Sequence, residues 1–457
     1  MLPRIWTAIV KLREFERSEK MTRAEFEAQK LAKFRKLVDH AQRHSPYYAD
    51  VIKAQGIDVA TCVPENFPAL TRAIVNEHFD RIVTDRRITR AAIDRFLEGS
   101  HDPRNLFLGA YHVIHTSGTS GASAPLVYSE TDWARGMVQS LRPGWKPPRK
   151  FKFRRYRTAY YGALGGHFGG VAMIGVVKRG LLRLFSRIEM VEINDPLKSA
   201  VERLNAFSPE FVIGYVAALK VLAVEQRAGR LHIAPGTVAG GGETMTVSDR
   251  QLLEQAFNCQ VRCTYGTTEH LMMGITAPGT STMVLYDDDL HYEIRDDHCL
   301  ITNLFNRTMP MIRHRLDDIL RPALGPSPAP PYLAIESIIG RSELIMQFVT
   351  EDGHLEPLLP FSFLTLQVPG MVGFQIRLLD EVHFRVLIRV DAALTPQEVE
   401  VCAEEVRKGV FAILQRKRMA NVGFDITVVS ELPIDPRTRK LKLIVDDRTA
   451  ASAPALQ

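Results

Sequence analysis

HTSGTSGAS, from His115 to Ser123, is the stretch on which the reading of this chain turns. Tyr111 to Ile114 supplies an apolar lead-in of strand length, and two hydroxyl and glycine triplets follow before the apolar pattern resumes at Pro125. Gly118 and Gly121 permit positive φ and close backbone approach, while Thr116, Ser117, Thr119 and Ser120 set hydroxyl donors beside backbone N–H groups. That chemistry suits an anion, phosphate first. The same composition also makes flexible linkers, and the stretch is not a Walker loop, which needs a lysine where Ala122 stands.

With 457 residues, 46% hydrophobic and 24% charged, the chain can bury a large core, splits into two or more domains and is neither disordered nor fibrous. A net charge of +6 favours anionic ligands such as nucleotides without singling out nucleic acid. The odd set of cysteines, Cys62, Cys259, Cys263, Cys299 and Cys402, makes no disulfide framework and fits a reducing, cytoplasmic setting. No apolar run reaches the roughly 18 residues of a spanning helix, and no signal peptide or solenoid repeat is evident. Whether the chain forms a homodimer stays open.

Upstream of the opening stretch, Phe26, Leu31, Phe34, Leu37 and Val38 recur at helical spacing behind a Thr22/Glu25 capping box, and Pro46 ends that helix. Downstream, Tyr128 to Ser140 reads as a helix, and Arg149 to Arg157 as a strand with basic and aromatic residues on opposite faces. Tyr160 to Gly170 is a glycine-rich turn beside which His167 either lines a pocket or simply packs. Strand and helix then alternate to Thr264, which argues for α/β layers. GGGETMT (Gly240 to Thr246) and YGTTEH (Tyr265 to His270) close successive strands, where open α/β sheets gather their ligands.

Asp287, Asp288 and Asp289 read as a solvated hairpin tip rather than a metal site, and Cys259 with Cys263 as buried thiols rather than zinc ligands. In RHRLDDI, Asp317 and Asp318 lie among arginines that keep them ionised for accepting sugar hydroxyls, although surface ion pairs have the same composition. The proline-rich run Arg321 to Pro331 leads toward a change of character. Beyond it, alternating Phe374 to Leu378 and Val382 to Val390 form a hairpin about Asp380 and Glu381. A helix boxed by Thr395 and Glu398, then a strand over Val422 to Val429, complete a compact α+β unit.

Taken in order, TSGTSG, GGET, YGTTE, RLDDI, GRSEL and RTRKLKLIVDDR resemble the motifs of the adenylate-forming superfamily of acyl-CoA synthetases, closest to its phenylacetate–CoA ligase-like branch. The resemblance runs from His44 to Arg448. It implies a large N-terminal adenylate-forming domain over 1–339, with layered sheets flanked by helices and a small distorted barrel. A small mobile α+β lid over 340–457 follows, carrying the catalytic lysine. The implied chemistry is ATP- and Mg²⁺-dependent activation of a small carboxylic acid, aromatic by analogy, as an acyl-adenylate, then transfer to coenzyme A.

Position by position, the resemblance implies that Thr116, Ser117, Gly118, Thr119, Ser120 and Gly121 hold the β- and γ-phosphates. Gly241, Gly242 and Glu243 border the adenine, and Tyr265 and Gly266 follow as the stacking tyrosine and its neighbour. Thr268 touches the α-phosphate, Glu269 binds Mg²⁺, Asp318 accepts the ribose hydroxyls, Arg341 lies at the hinge and Lys440 reaches the reacting groups. Lys442 competes with Lys440 for that role. The chain departs from the pattern at Ala122 and Ser123, at Leu344 after Glu343, at Arg439, and over Met346 to Pro357, where the branch carries its acceptor-site motif. Transfer to a different acceptor, or a nucleotide-binding protein on a degenerate ligase fold, are the alternatives.

Overall fold

The computed structural model describes residues 2–100, 102–115, 125–139, 142, 155–164, 167, 169–170, 186–339, 345–359, 362–363, 366, 368–434 and 441–448. Six helices come first: α1 (Leu2–Ser18), α2 (Arg23–His44), α3 (Pro46–Gln55), α4 (Arg72–Glu77), α5 (Phe79–Ile82) and α6 (Arg90–Gly99). The Thr22 side chain and Glu25 make the expected capping box on α2. Ser45 then ends α2 and caps α3, with Pro46 in the first turn where its missing N–H costs nothing.

Strand β1 (Tyr111–Ile114) pairs antiparallel with β2 (Leu126–Ser129), which leads into α7 (Glu130–Val138). The helix expected from Tyr128 therefore starts two residues later: Tyr128 is a strand residue, and Ser129 caps the helix by accepting from the Asp132 N–H.

The scaffold of the site is a nine-stranded sheet. Its parallel half contains β3 (Tyr156–Gly162), β4 (Ser186–Glu192), β5 (Phe211–Tyr215), β6 (Thr237–Gly241) and β7 (Gln260–Thr267), threaded through α8 (Leu197–Phe207), α9 (Val216–Arg227) and α10 (Val247–Phe257). An antiparallel half extends from β7 through β8 (Leu271–Thr276) and β9 (Met283–Leu285). A separate antiparallel sheet joins β10 (Leu290–Ile294), β11 (Cys299–Asn303) and β12 (His314–Leu316). The nine-stranded sheet ends with β13 (Ile319–Pro322) and β14 (Ala334–Ile339), so the proline-rich run is the connection of one hairpin. The basic strand expected from Arg149 lies outside the described residues as far as Arg154, and Tyr156 and Arg157 open β3, an interior strand.

The remaining elements are a hairpin of β15 (Met346–Val349) and β16 (Leu355–Leu358), then β17 (Met371–Leu378), β18 (His383–Val390), α11 (Pro396–Arg416), β19 (Gly423–Val428) and β20 (Ile444–Asp446). The last four strands form one sheet in the order β19-β18-β17-β20, and α11 carries the expected Thr395/Glu398 box. Its apolar face packs on that sheet through Val406, Val410, Ile413 and Leu414. A buried ion pair, Lys417 Nζ to Glu356 at 2.6 Å, ties this unit to the first, because Glu356 also accepts the Leu197 N–H at 3.0 Å. Among the described residues no helix is long and apolar enough to cross a membrane.

Candidate nucleotide site

Because β3, β5, β6 and β7 run parallel, their carboxyl ends share one edge of the sheet. At the end of β6 the backbone is bare by necessity. A Cβ on Gly241 would collide with Thr264 Oγ1, whose hydroxyl donates to the Gly240 carbonyl at 3.1 Å, and Gly242 takes φ +79°. Glu243 follows at the same edge: its carboxylate accepts the Ala217 N–H at 2.7 Å and so caps α9. The Tyr160 and Tyr215 hydroxyls hydrogen-bond each other at the ends of β3 and β5.

YGTTEH continues β7 rather than simply closing it. Tyr265 and Gly266 form a β-bulge against β8, and a Cβ on Gly266 would stand 2.7 Å from the Leu271 carbonyl. The bulge aims the Tyr265 hydroxyl at Asp318, which it reaches at 2.9 Å. Burial first, then the Asp318 charge, raises the Tyr265 phenol well above its ordinary value, so it stays a donor. Thr268 and Glu269 are fixed through their carbonyls, both accepting from the buried Tyr128 hydroxyl at 2.9 and 2.8 Å.

Glu269 is 6% exposed, and its carboxylate faces the Arg72 guanidinium at 3.9 Å. Arg72 arrives because Leu70 adds to β12: Leu70 N–H donates to the Arg313 carbonyl, and Arg315 N–H to the Leu70 carbonyl. Beside Glu269, His270 Nε2 and His314 Nδ1 are 3.3 Å apart. Burial lowers both imidazoles, so this pair is neutral and clips the Glu269 turn to the strand leading to Asp318.

The structure thus brings Gly241, Gly242, Tyr265, Gly266, Thr268, Glu269 and Asp318 to one sheet edge. Thr116 to Gly121, Arg341 and Lys440 lie outside the described residues. The lead-in strand β1 is in place, and His115 N–H donates to the His167 carbonyl at 3.1 Å. The site fits a nucleotide in one respect: an aspartate is oriented by a neighbouring hydroxyl as an acceptor for ribose. Mg²⁺ takes one or two protein carboxylates and completes its shell with substrate oxygens, and Glu269 is such a carboxylate, since Arg72 at 3.9 Å is too far for a hydrogen bond to it.

Several readings change. Asp287, Asp288 and Asp289 are no solvated tip: they are 0%, 1% and 1% exposed. Lys11 Nζ lies 2.6 Å and Lys33 Nζ 3.0 Å from Asp289, while Arg142 pairs with Asp288. The Arg142 guanidinium also lies over the rings of Phe15 and Tyr286. Asp318 accepts from the Tyr265 hydroxyl at 2.9 Å, and Asp317 meets Arg315 at 3.1 Å. His167 packs: it is 1% exposed, with its ring nitrogens against the carbonyls of Val113 and Ser100. The cysteines are free, and among the described residues the only acid and histidine group close enough to share a metal is Glu65, His291 and Glu293. Arg313 occupies both oxygens of Glu293. Arg72, Tyr128 and the His270–His314 pair went unseen in the sequence, where nothing local marks a contact made across 140 positions.

No protein-family model matches this sequence. Protein CapK of Staphylococcus aureus is 21% identical over 336 residues, which cover 69% of this chain and 68% of that protein. Among solved structures, 2-hydroxyisobutyryl-CoA ligase in complex with 2-HIB-AMP and CoA in its thioesterification state superposes with a TM-score of 0.59. The two are 14% identical over 95% of this chain and 93% of the ligase. The same ligase in its postadenylation state with 2-HIB-AMP gives 0.56 at 16% identity, over 95% and 92% of the two chains. The chain therefore has the α/β fold of an adenylate-forming ligase across nearly its whole length.

Proposed function

We propose that this chain is an ATP- and Mg²⁺-dependent ligase that activates a carboxylic acid as its acyl-adenylate and passes the acyl group to coenzyme A. The observation that carries this reading is the Tyr265 to Asp318 hydrogen bond, which joins two motifs 53 positions apart at the carboxyl edge of the parallel strands. An aromatic acid is the substrate class that the phenylacetate ligase resemblance favours, seated near Tyr160 to Gly170.

In this reading a carboxylate oxygen of the substrate attacks the α-phosphorus of ATP, the bond to the bridging oxygen breaks, and pyrophosphate leaves. The thiolate of coenzyme A then attacks the acyl carbon, and AMP leaves with its oxygen. The carboxylate is already an anion and needs no protein base in the first step; what limits it is the approach of one anion to another, whereas the thiol of the second step gives up its proton on becoming the thiolate. Asp318, fixed by Tyr265, accepts the ribose hydroxyls, Thr268 donates to the α-phosphate, and Arg72 adds positive charge beside Glu269. Mg²⁺ bound at Glu269 would supply neutralisation of the phosphate oxygens. The division at 339/340 makes the second unit a lid that delivers Lys440, with Arg341 at the hinge.

A second reading, transfer to a different acceptor or release of the adenylate itself, is favoured by β15 and β16. Where the resembling branch carries its acceptor motif, this chain commits Glu356 to Lys417 and the Leu197 N–H. Mass analysis of products from an aryl-acid panel with ATP and Mg²⁺ separates the two. A thioester appearing with coenzyme A supports the first, an AMP adduct persisting in its presence supports the second, and no acid-dependent product across the panel rejects both.

A further inference from the structure

At the end of β2, lined by none of the residues of the candidate nucleotide site, a cavity of about 260 Å³ opens between α2, the start of α7 and the loop at Arg307. Arg135 and Arg307 both line it, and among the described residues neither guanidinium meets a carboxylate. His40 joins them from α2, with Nε2 at 3.2 Å from the Arg307 carbonyl. Ser129 and Thr131 add hydroxyls to the wall.

The one acid in this wall is already engaged. Asp132 Oδ2 accepts from Thr308 Oγ1 at 2.6 Å and from the Thr308 N–H at 3.1 Å, and Thr308 Oγ1 in turn accepts the Ser129 N–H at 3.0 Å. That network engages one oxygen of Asp132 with neutral donors, and the wall carries two guanidinium groups against this one carboxylate. Arginine forks facing a polar concavity with hydroxyl donors are the arrangement that binds tetrahedral oxyanions.

We propose that this cavity is a second anion site, separate from the nucleotide site, that binds a phosphoryl oxyanion between Arg135 and Arg307. None of its lining residues belongs to the motifs at the sheet edge, and the inference does not rest on the ligase reading. His40 gives it a pH dependence. Burial lowers this imidazole first, and His44 on its own helix and Arg307 across the cavity lower it further, while the Arg307 carbonyl and Asp132 oppose. A bound anion favours the protonated ring, so affinity rises as pH falls through the His40 titration.

Calorimetric titration of the full chain with inorganic phosphate, and in a second arm pyrophosphate, tests the proposal in chloride buffer. Saturable binding of one anion is expected, weakened roughly tenfold by Arg135→Gln and again by Arg307→Gln, and unaffected by Arg72→Gln at the nucleotide site. Preference for pyrophosphate over phosphate would point to a larger phosphoryl ligand at the same arginines. In the wild-type protein the His40 ring resonance should shift toward the protonated form as phosphate is added, which requires no variant to fold. Phosphate binding that survives both substitutions but vanishes with Arg72→Gln, binding no stronger than that of chloride, or a His40 resonance that does not move would each overturn it.

Discussion

At Asp287 to Asp289 the carboxylates lie beneath α1 and α2 with lysines and arginines closed over them, whereas Asp317 stands in water and Asp318 faces a tyrosine hydroxyl at the sheet edge. The first run has its charge answered from within the protein. Burial alone would raise the Asp289 carboxyl, but Lys11, Lys33 and Arg142 outweigh it and hold it well below the usual carboxylate range. In the second run Asp318 is held by a neutral donor, and Asp317 by a surface arginine. Compensated, buried acids hold a fold together, while a half-buried acid oriented by a hydroxyl remains able to serve a ligand.

The sharpest way to break this contrast is Asp289→Ala. It removes the buried carboxylate that Lys11 and Lys33 share and leaves both to the partly exposed Glu14, and chemical denaturation should show a loss of about 3 kcal/mol. Asp287 should reveal itself through pH. Burial pushes it up to about 6, against Lys30, the Leu333 N–H and Arg23. A carboxyl raised above its unfolded value stabilises the fold below that value and loses the contribution as pH rises through the folded one. Between about pH 4 and 6 the wild type should therefore lose up to about 3 kcal/mol relative to Asp287→Asn. Asp289 acts in the opposite direction, below about pH 4, so the two slopes separate.

At the other run the effects should be functional. Asp318→Ala should raise the KM for ATP by roughly 10–100-fold with a stability change near 1 kcal/mol. Tyr265→Phe keeps the ring and removes only the hydrogen bond to Asp318, so a few-fold rise in the same KM, about 1 kcal/mol, is expected. Equal stability losses at Asp289 and Asp318 would dissolve the distinction.

What the sequence made legible was local. The Thr22/Glu25 and Thr395/Glu398 boxes, the β17–β18 hairpin and the strand ends at Gly241 and Tyr265 all follow from neighbours within a few positions. The sequence hides the burial of Asp287 to Asp289 because their counter-charge at Lys11 comes from 278 positions away, and three adjacent acids in isolation are most cheaply solvated. Tyr128 was placed in a helix because its short strand borders a cap, yet it anchors the Glu269 backbone from 141 positions away. Arg72 reaches Glu269 only because Leu70 bridges to His314, a pairing that no periodicity announces.

Exchange of labelled pyrophosphate into ATP tests most directly whether the Tyr265, Asp318 and Glu269 edge activates a carboxylic acid. The account predicts exchange that requires both the acid and Mg²⁺ and falls roughly 10–100-fold in Asp318→Ala. Exchange absent with every acid offered, or equally fast in Asp318→Ala, would contradict it.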